Sequence, residues 1–339
     1  MESEAQLCRV LFFGDSYDGI VTHSDRPARW KILLAFSMIY FVWGSTYLAI
    51  RIGVREMPPF LMAGLRFTAA GLAMYVWMRI SGTPSPSWKE WKGVTLLGTL
   101  MFLIDYACLF WAEQRIPSGI AAVILAMIPV CITLLEIILL RTQAVSARLV
   151  VGLLVGLVGV GVLANPWASL GEAPLDHRGV IALLVACCGW SVGTIVTKRL
   201  VLPASKPMSA ATQMLTGGVQ LLILAALSGE ITHFHASAVF GKAWFSLIYL
   251  IIAGSIVAFT AYVWLLHYES PTRVGTYAYV NPIVAVILGG LLGGETIGVR
   301  TILATILVLL SVAAITTAKA RRDVSAKASG QDQARAAAD

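Results

Sequence analysis

The sequence predicts an all-α integral membrane protein with ten transmembrane helices, built as two inverted five-helix repeats. Composition is the first ground: of 339 residues, 58% are hydrophobic and 13% charged, with a mean hydropathy of +0.80. Soluble domains carry about 25% charged residues, so a soluble fold could not hide this much apolar surface. The second ground is a series of ten apolar stretches, each about 20 residues long. At the helical rise such a stretch crosses a hydrocarbon core of roughly 30 Å. The third is a resemblance between the two halves of the chain. Soluble enzymes, nucleic-acid binders and disordered scaffolds are excluded, and the net charge of +7 bears on orientation rather than on nucleic acid.

In chain order, residues 1–31 read as a polar cytoplasmic N-terminal extension. Its apolar patch, Val10 to Phe13, is too short to span a membrane or to act as a signal peptide. Leu11-Phe12-Phe13-Gly14-Asp15-Ser16 resembles the first block of GDS-type serine hydrolases. The Asp-x-x-His pairing that this chemistry needs occurs nowhere in the chain. The spans are expected near 32–52, 59–78, 94–112, 118–140, 147–165, 178–197, 208–228, 243–266, 272–292 and 300–318. Helices are the expected form, because a backbone in lipid must satisfy its own hydrogen bonds. Residues 319–339 are Ala-rich and charged and read as a disordered cytoplasmic tail. Five cysteines show no CxxC or Cys/His ligand spacing, so neither a metal nor a disulfide framework is expected.

Orientation follows from the basic residues. With the N-terminus inside, 18 of the 25 Lys and Arg fall in cytoplasmic segments, six fall outside, and Arg66 lies within a span. Both termini are therefore expected to be cytoplasmic. A reporter after Asp339 should read as cytoplasmic, and a cysteine near Glu172 should label from outside.

The two halves align at nearly constant offsets. Trp43, Arg66 and Gly71 fall on Trp190, Gln213 and Gly218, each 147 residues on. Pro117 pairs with Pro271 and Pro129 with Pro282, at offsets of 154 and 153. Units of five helices place the second copy upside down in the membrane, and 32–165 and 178–318 are the expected repeats. Inverted repeats hold their substrate site near the midplane between them.

Trp43-Gly44-Ser45-Thr46, Leu65-Arg66-Phe67, Asn281-Pro282-Ile283 and Gly294-Glu295, in this order and spacing, resemble the EamA-type permeases of the drug/metabolite transporter superfamily. The resemblance covers roughly residues 32–318. It implies a multi-pass carrier of a bacterial inner (plasma) membrane, usually an exporter of amino acids or other small metabolites, with no cofactor. One departure stands out: the first half has Arg141-Thr142 where the second has Gly294-Glu295. That glutamate reads as a loop or helix-end device rather than a duplicated catalytic part. The smaller multidrug relatives place a carboxylate in their first helix, and none is present there in this chain.

Ionisable groups at membrane depth are functional candidates by default. Arg66 and Asp105 each lie seven residues from the same end of their helices, roughly 10 Å deep. Their opposite charges suggest an ion pair in which Arg66 holds Asp105 ionised, with substrate or a proton competing for the carboxylate. Neither charge is duplicated, which points to function in a duplicated fold. Glu136 is expected to reach water or Arg141. Trp43, Tyr106, Trp190, Gln213, Tyr262, Trp264, Tyr277, Tyr279 and Asn281 are further candidates to line a cavity for an amphiphilic organic solute. Pro129 and Pro282 are the expected helix breaks. Gly152-xxx-Gly156 and Gly289-xxx-Gly293 permit close helix approach, as scaffold first and as a homodimer face second.

The leading expectation is secondary transport by alternating access, driven by proton coupling or by exchange, since no Walker loop is present. A membrane-embedded enzyme is the first alternative, and all five histidines fall outside or at the ends of spans, which argues against it. A channel or scramblase is the second. A single buried arginine is too little positive charge for a nucleotide-sugar diphosphate. Residues 1–28 are expected to be dispensable for insertion and transport.

Overall fold

The computed structural model describes residues 27–140, 147–164, 175–269 and 271–315. The expectations for residues 1–26, Arg141, Glu172 and the C-terminal tail concern residues outside these, and the expected extension to residue 31 ends earlier, because the first helix begins at Arg29. Among the described residues ten long helices follow one another. They are α1 (Arg29–Gly53), α2 (Pro59–Ile80), α3 (Trp88–Glu113), α4 (Ser118–Ile138) and α5 (Ala147–Ala164). The second five are α6 (His177–Thr197), α7 (Lys206–Leu227), α8 (Gly241–Leu266), α9 (Tyr277–Leu291) and α10 (Val299–Ile315). Seven are long and apolar enough to cross a membrane, whereas α5, α9 and α10 hold shorter apolar runs.

Two boundaries differ from the hydropathy reading for local reasons. Helix α3 begins at Trp88, well before 94, because Ser87 and Glu90 form a capping box. The predicted span 272–292 is divided: Pro271–Val274 makes a short helix, a turn follows, and α9 starts at Tyr277. At 15 residues α9 is roughly 22 Å long, less than a hydrocarbon core. The short helix before it supplies part of the missing length.

The duplication is visible in the packing. Helices α2 and α7, second in their repeats, run antiparallel through the centre, with Gly64 against Leu222 and Gly71 against Leu215. A Cβ on Gly71 would stand 2.4 Å from the Leu215 nitrogen, and one on Gly218 would stand 2.4 Å from the Thr68 nitrogen. These two contacts exchange when 147 is added to Thr68 and Gly71, so they are one contact repeated about a pseudo-twofold axis. Wide π-helical turns recur in the same way, at Gly98–Ile104 in α3 and Leu250–Val257 in α8. Such turns leave carbonyls without their usual helical donors and mark functional segments.

Replacing Gly71 or Gly218 by leucine should drive α2 and α7 apart. Overpacking costs about 1–3 kcal/mol where side chains can yield, and here the obstacle is backbone. The expected result is loss of monodisperse protein on size-exclusion chromatography, with Gly161→Leu unchanged because nothing lies within 4 Å of that position.

Helices α5 and α10 form their own pair. Gly152, Gly156 and Gly159 receive Ile315, Ser311 and Val308, and the Ser311 hydroxyl donates to the Gly152 carbonyl at 2.6 Å. The Gly152-xxx-Gly156 stripe is thus covered by the chain's own helix and is closed to a second copy. Outward faces of the bundle expose Leu154, Leu157, Ile181, Ile223, Ile252 and Leu310, as a lipid-facing surface should.

Candidate binding cavity

A cavity of about 230 Å³ lies between the two repeats, lined from α1, α2, α3, α4, α6, α7, α8 and α9. One face of α1 supplies Trp43, Thr46, Tyr47 and Ile50, whose spacing of three and four residues keeps them in register on a helix. Helix α3 supplies Phe102, Asp105, Tyr106 and Leu109 by the same rule. The prolines work as a pair. Pro129 and Pro282 both line the cavity, and each lacks the N–H that would bond the carbonyl four residues earlier. Those carbonyls belong to Leu125 and Ala278, which also line it.

Two aromatic groups face each other across this space. On one side Trp43 meets Tyr277 and Tyr262 with ring centroids 5.0 and 5.4 Å apart. On the other, Phe67 meets Phe102 at 5.0 Å and Tyr106 at 4.4 Å, and Tyr106 reaches Trp190 at 6.5 Å. The Trp43 indole donates to the Gly254 carbonyl at 3.1 Å, inside the π-helical segment of α8. Asn281, with its amide nitrogen turned toward the main chain, donates to the carbonyls of Tyr40 and Tyr277 at 3.1 and 3.2 Å.

Arg66 and Asp105 both line the cavity and both are buried. The expected ion pair between them is not formed. Arg66 Nε instead donates to the Ser255 hydroxyl at 3.0 Å, and its guanidinium lies over Phe67 at 4.6 Å and Tyr106 at 5.4 Å. One guanidinium nitrogen and one Asp105 oxygen have no hydrogen-bond partner. Aromatic faces and a hydroxyl took the place of the carboxylate because they stand closer on α2, α3 and α8. The cavity therefore offers a guanidinium and a carboxyl group that are not paired with each other.

Three other expected residues lie apart from the cavity. Gln213 donates to Ser209 at 2.9 Å on its own helix. Trp264 is buried against Tyr268, with centroids 4.9 Å apart, in a small cluster beside α1. Tyr279 points the other way, its hydroxyl 3.4 Å from the Val312 carbonyl of α10. A helix carries residues two apart on different faces, so Tyr277 and Tyr279 could not both face the same space. Glu136 is buried rather than extended to water. Sequence reasoning missed Thr46, Tyr47 and Ser255. The first two share the face of Trp43, and that spacing was the available signal.

The ends of the cavity differ. Toward the start of α9, Trp43, Trp190, Phe259, Tyr262 and Tyr277 are partly exposed. At the opposite end Ile50, Leu109 and Ala122 are buried, and Met57, Ala112 and Ile116 close the space beyond them. This sealed end is stitched by glutamates that reach from one repeat to helix starts in the other. Gly294 turns the chain with φ of +64°, which directs Glu295 onto the start of α4. There its two oxygens accept from the Ser118 and Gly119 N–H groups at 2.7 and 3.2 Å. Glu230 accepts from the Leu61 N–H at 2.8 Å, at the start of α2. Glu56 accepts from the Phe240 N–H at 2.8 Å, at the start of α8. Carboxylates suit these places because helix starts present unsatisfied N–H groups and partial positive charge.

A helical membrane bundle with a solute-sized cavity between two repeats, sealed at one end, has the architecture of a membrane transporter. The EamA-like transporter family matches the chain twice, over residues 29–165 and 177–317, and the chain belongs to that family. It is 35% identical over 289 residues to the "Uncharacterized inner membrane transporter YedA" of Escherichia coli, covering 84% of this chain and 90% of that protein. It is 27% identical over 279 residues to "Protein PecM" of Dickeya dadantii, covering 80% and 89%. A solved crystal structure covers 87% of this chain with a TM-score of 0.57 and 22% identity, a likeness in fold.

Proposed function

We propose that this protein is a secondary carrier of a bacterial inner membrane that exports amino acids or other small organic metabolites by alternating access. The observation that carries the reading is the cavity itself: unpaired Arg66 and Asp105 held apart between aromatic walls. A zwitterion matches this arrangement, with its carboxylate toward Arg66, its ammonium toward Asp105 and an apolar or aromatic side chain against the rings. The volume, about 230 Å³, is below the roughly 300 Å³ at which pockets for drug-sized ligands begin, which favours a small metabolite over a bulky drug.

Several further readings belong to the same proposal. The units 32–165 and 178–318 act as the two moving halves. The bias of basic residues places both termini and the partly exposed Tyr277 end of the cavity in the cytoplasm, where an export substrate would enter. The sealed end favours a carrier over a channel, which needs a continuous polar file. Driving force comes from a proton gradient or from exchange.

Purified protein in liposomes, loaded with one solute and presented with labelled solute outside, tests this reading. Neutral zwitterionic amino acids should show counterflow, while polyamines and dicarboxylates should not. Counterflow of polyamines alone, or of no solute in the screen, would overturn it.

A further inference from the structure

At the sealed end lies a carboxylic acid that neither the cavity nor the glutamate contacts account for. Glu113, the last residue of α3, is completely buried, and neither of its carboxylate oxygens has a hydrogen-bond partner. The expected span ends at 112, one residue short of it. Helix α3 in fact carries it inward. The ionisable groups close enough to act on it are Arg51 and Tyr47 from α1, Arg66 from α2 and Glu295 from the connection between α9 and α10. Among the described residues none of them forms a hydrogen bond or ion pair with its carboxylate. The Arg51 guanidinium donates to the main-chain carbonyl of Glu113, and its Nε is itself buried without a partner. Glu295 is an acid already committed to the start of α4. The Ser118 hydroxyl, also buried, has no partner either.

An ionised carboxylate without a partner is the least tolerable group in such a place, because burying it uncompensated is strongly destabilising. A hydrated cation has no room beside oxygens that expose no surface. Among the described residues no group of three acidic, His or Cys side chains could hold a metal. We infer that Glu113 is a proton-binding site, neutral while this end of the carrier is sealed and ionised when the end opens. On opening, water reaches the carboxylate, and Arg51, with its idle Nε, stands next to it as the partner for the charged form. Proton release would then accompany opening, and proton uptake would accompany closure. The coupling half of this inference rests on the carrier reading above; the protonation half does not.

The test is infrared spectroscopy of the purified, lipid-reconstituted protein in H₂O and D₂O at neutral pH. Wild type should show a protonated carboxylic acid band that Glu113→Gln removes and Glu295→Gln leaves in place. Gln has the shape of the neutral acid, so Glu113→Gln should fold and melt as wild type does. An unchanged band in a folded Glu113→Gln protein would overturn the assignment. A second measurement separates the site from the transport reading. Once a counterflow solute is known, Glu113→Gln should retain its counterflow and lose the response of net flux to an imposed pH gradient. A full response to the gradient would refute coupling through Glu113. Absence of counterflow in wild type would refute the carrier reading instead, and leave the spectroscopic result standing.

Discussion

Asp105→Asn and Arg66→Gln are each expected to insert and fold normally and to transport poorly. Each removes one of the two ionisable groups facing the cavity while keeping the side chain's approximate size. Losing one partner of a buried charged contact costs about 2–5 kcal/mol, which corresponds to a loss of roughly thirtyfold or more in apparent affinity. Because the two groups do not contact each other, the double variant should be no better than either single. Rescue by the double variant would restore the idea of an ion pair whose only task is to neutralise itself. The measurement is counterflow in liposomes, with insertion and thermal stability checked for each variant.

The second large effect concerns the sealed end. Glu56, Glu230 and Glu295 each tie the start of a helix in one repeat to a connection belonging to the other. Replacing any one by alanine removes hydrogen bonds to a charged acceptor, worth about 1.5–3 kcal/mol. If the contacts exist only while this end is closed, each loss shifts the population toward the open state by roughly tenfold or more. In a cysteine-free background, Leu109→Cys should then react with a membrane-impermeant thiol reagent from outside, much faster with Glu295→Ala than without it. Equal rates would show that these glutamates hold the fold and not a gate. Glu230 adds a pH dependence. Burial pushes its carboxyl up from the ordinary range, outweighing the N–H groups of Leu61 and Phe60 that favour the charged form. An acid raised in this way favours the closed arrangement most when protonated, and its contribution fades as pH rises through the raised value. Leu109→Cys labelling should therefore quicken with rising pH within that window, after correction for the reagent's own pH dependence, and Glu230→Gln should reduce the effect.

The helices were legible because lipid imposes a simple rule: an apolar run of sufficient length must be a helix. Their boundaries were less so. Helix α3 starts at Trp88 through hydrogen bonds between Ser87 and Glu90, which hydropathy does not register. The break before α9 depends on backbone geometry around Gly275 and Thr276. The duplication was legible through Gly71 and Gly218, since close backbone approach demands glycine wherever the contact recurs. The reading of Glu295 as a loop or helix-end device agrees with the structure, where it lies in the connection between α9 and α10 and bonds to the start of α4.

The cavity was legible in part. Trp43, Arg66, Asp105, Tyr106, Trp190, Tyr262, Tyr277 and Asn281 all line it. Gln213 stands at the position that aligns with Arg66, but its shorter side chain bonds to Ser209 on its own helix. Trp264 and Tyr279 lie on faces turned elsewhere. Contacts such as Arg66 with Ser255 join residues 189 positions apart. No periodicity within a helix reports on which neighbour a long side chain will meet. The same limit hid Glu113, whose environment is assembled from four separate segments.

The most direct test of the account compares one transported amino acid with two of its own derivatives, the N-acetyl form and the C-terminal amide, in wild type, Asp105→Asn and Arg66→Gln liposomes. Wild type should carry the parent and reject both derivatives. Asp105→Asn should lose its discrimination against the N-acetyl form, and Arg66→Gln its discrimination against the amide. Equal transport of parent and derivatives by wild type, or the same selectivity in all three proteins, would contradict recognition of a zwitterion between Arg66 and Asp105.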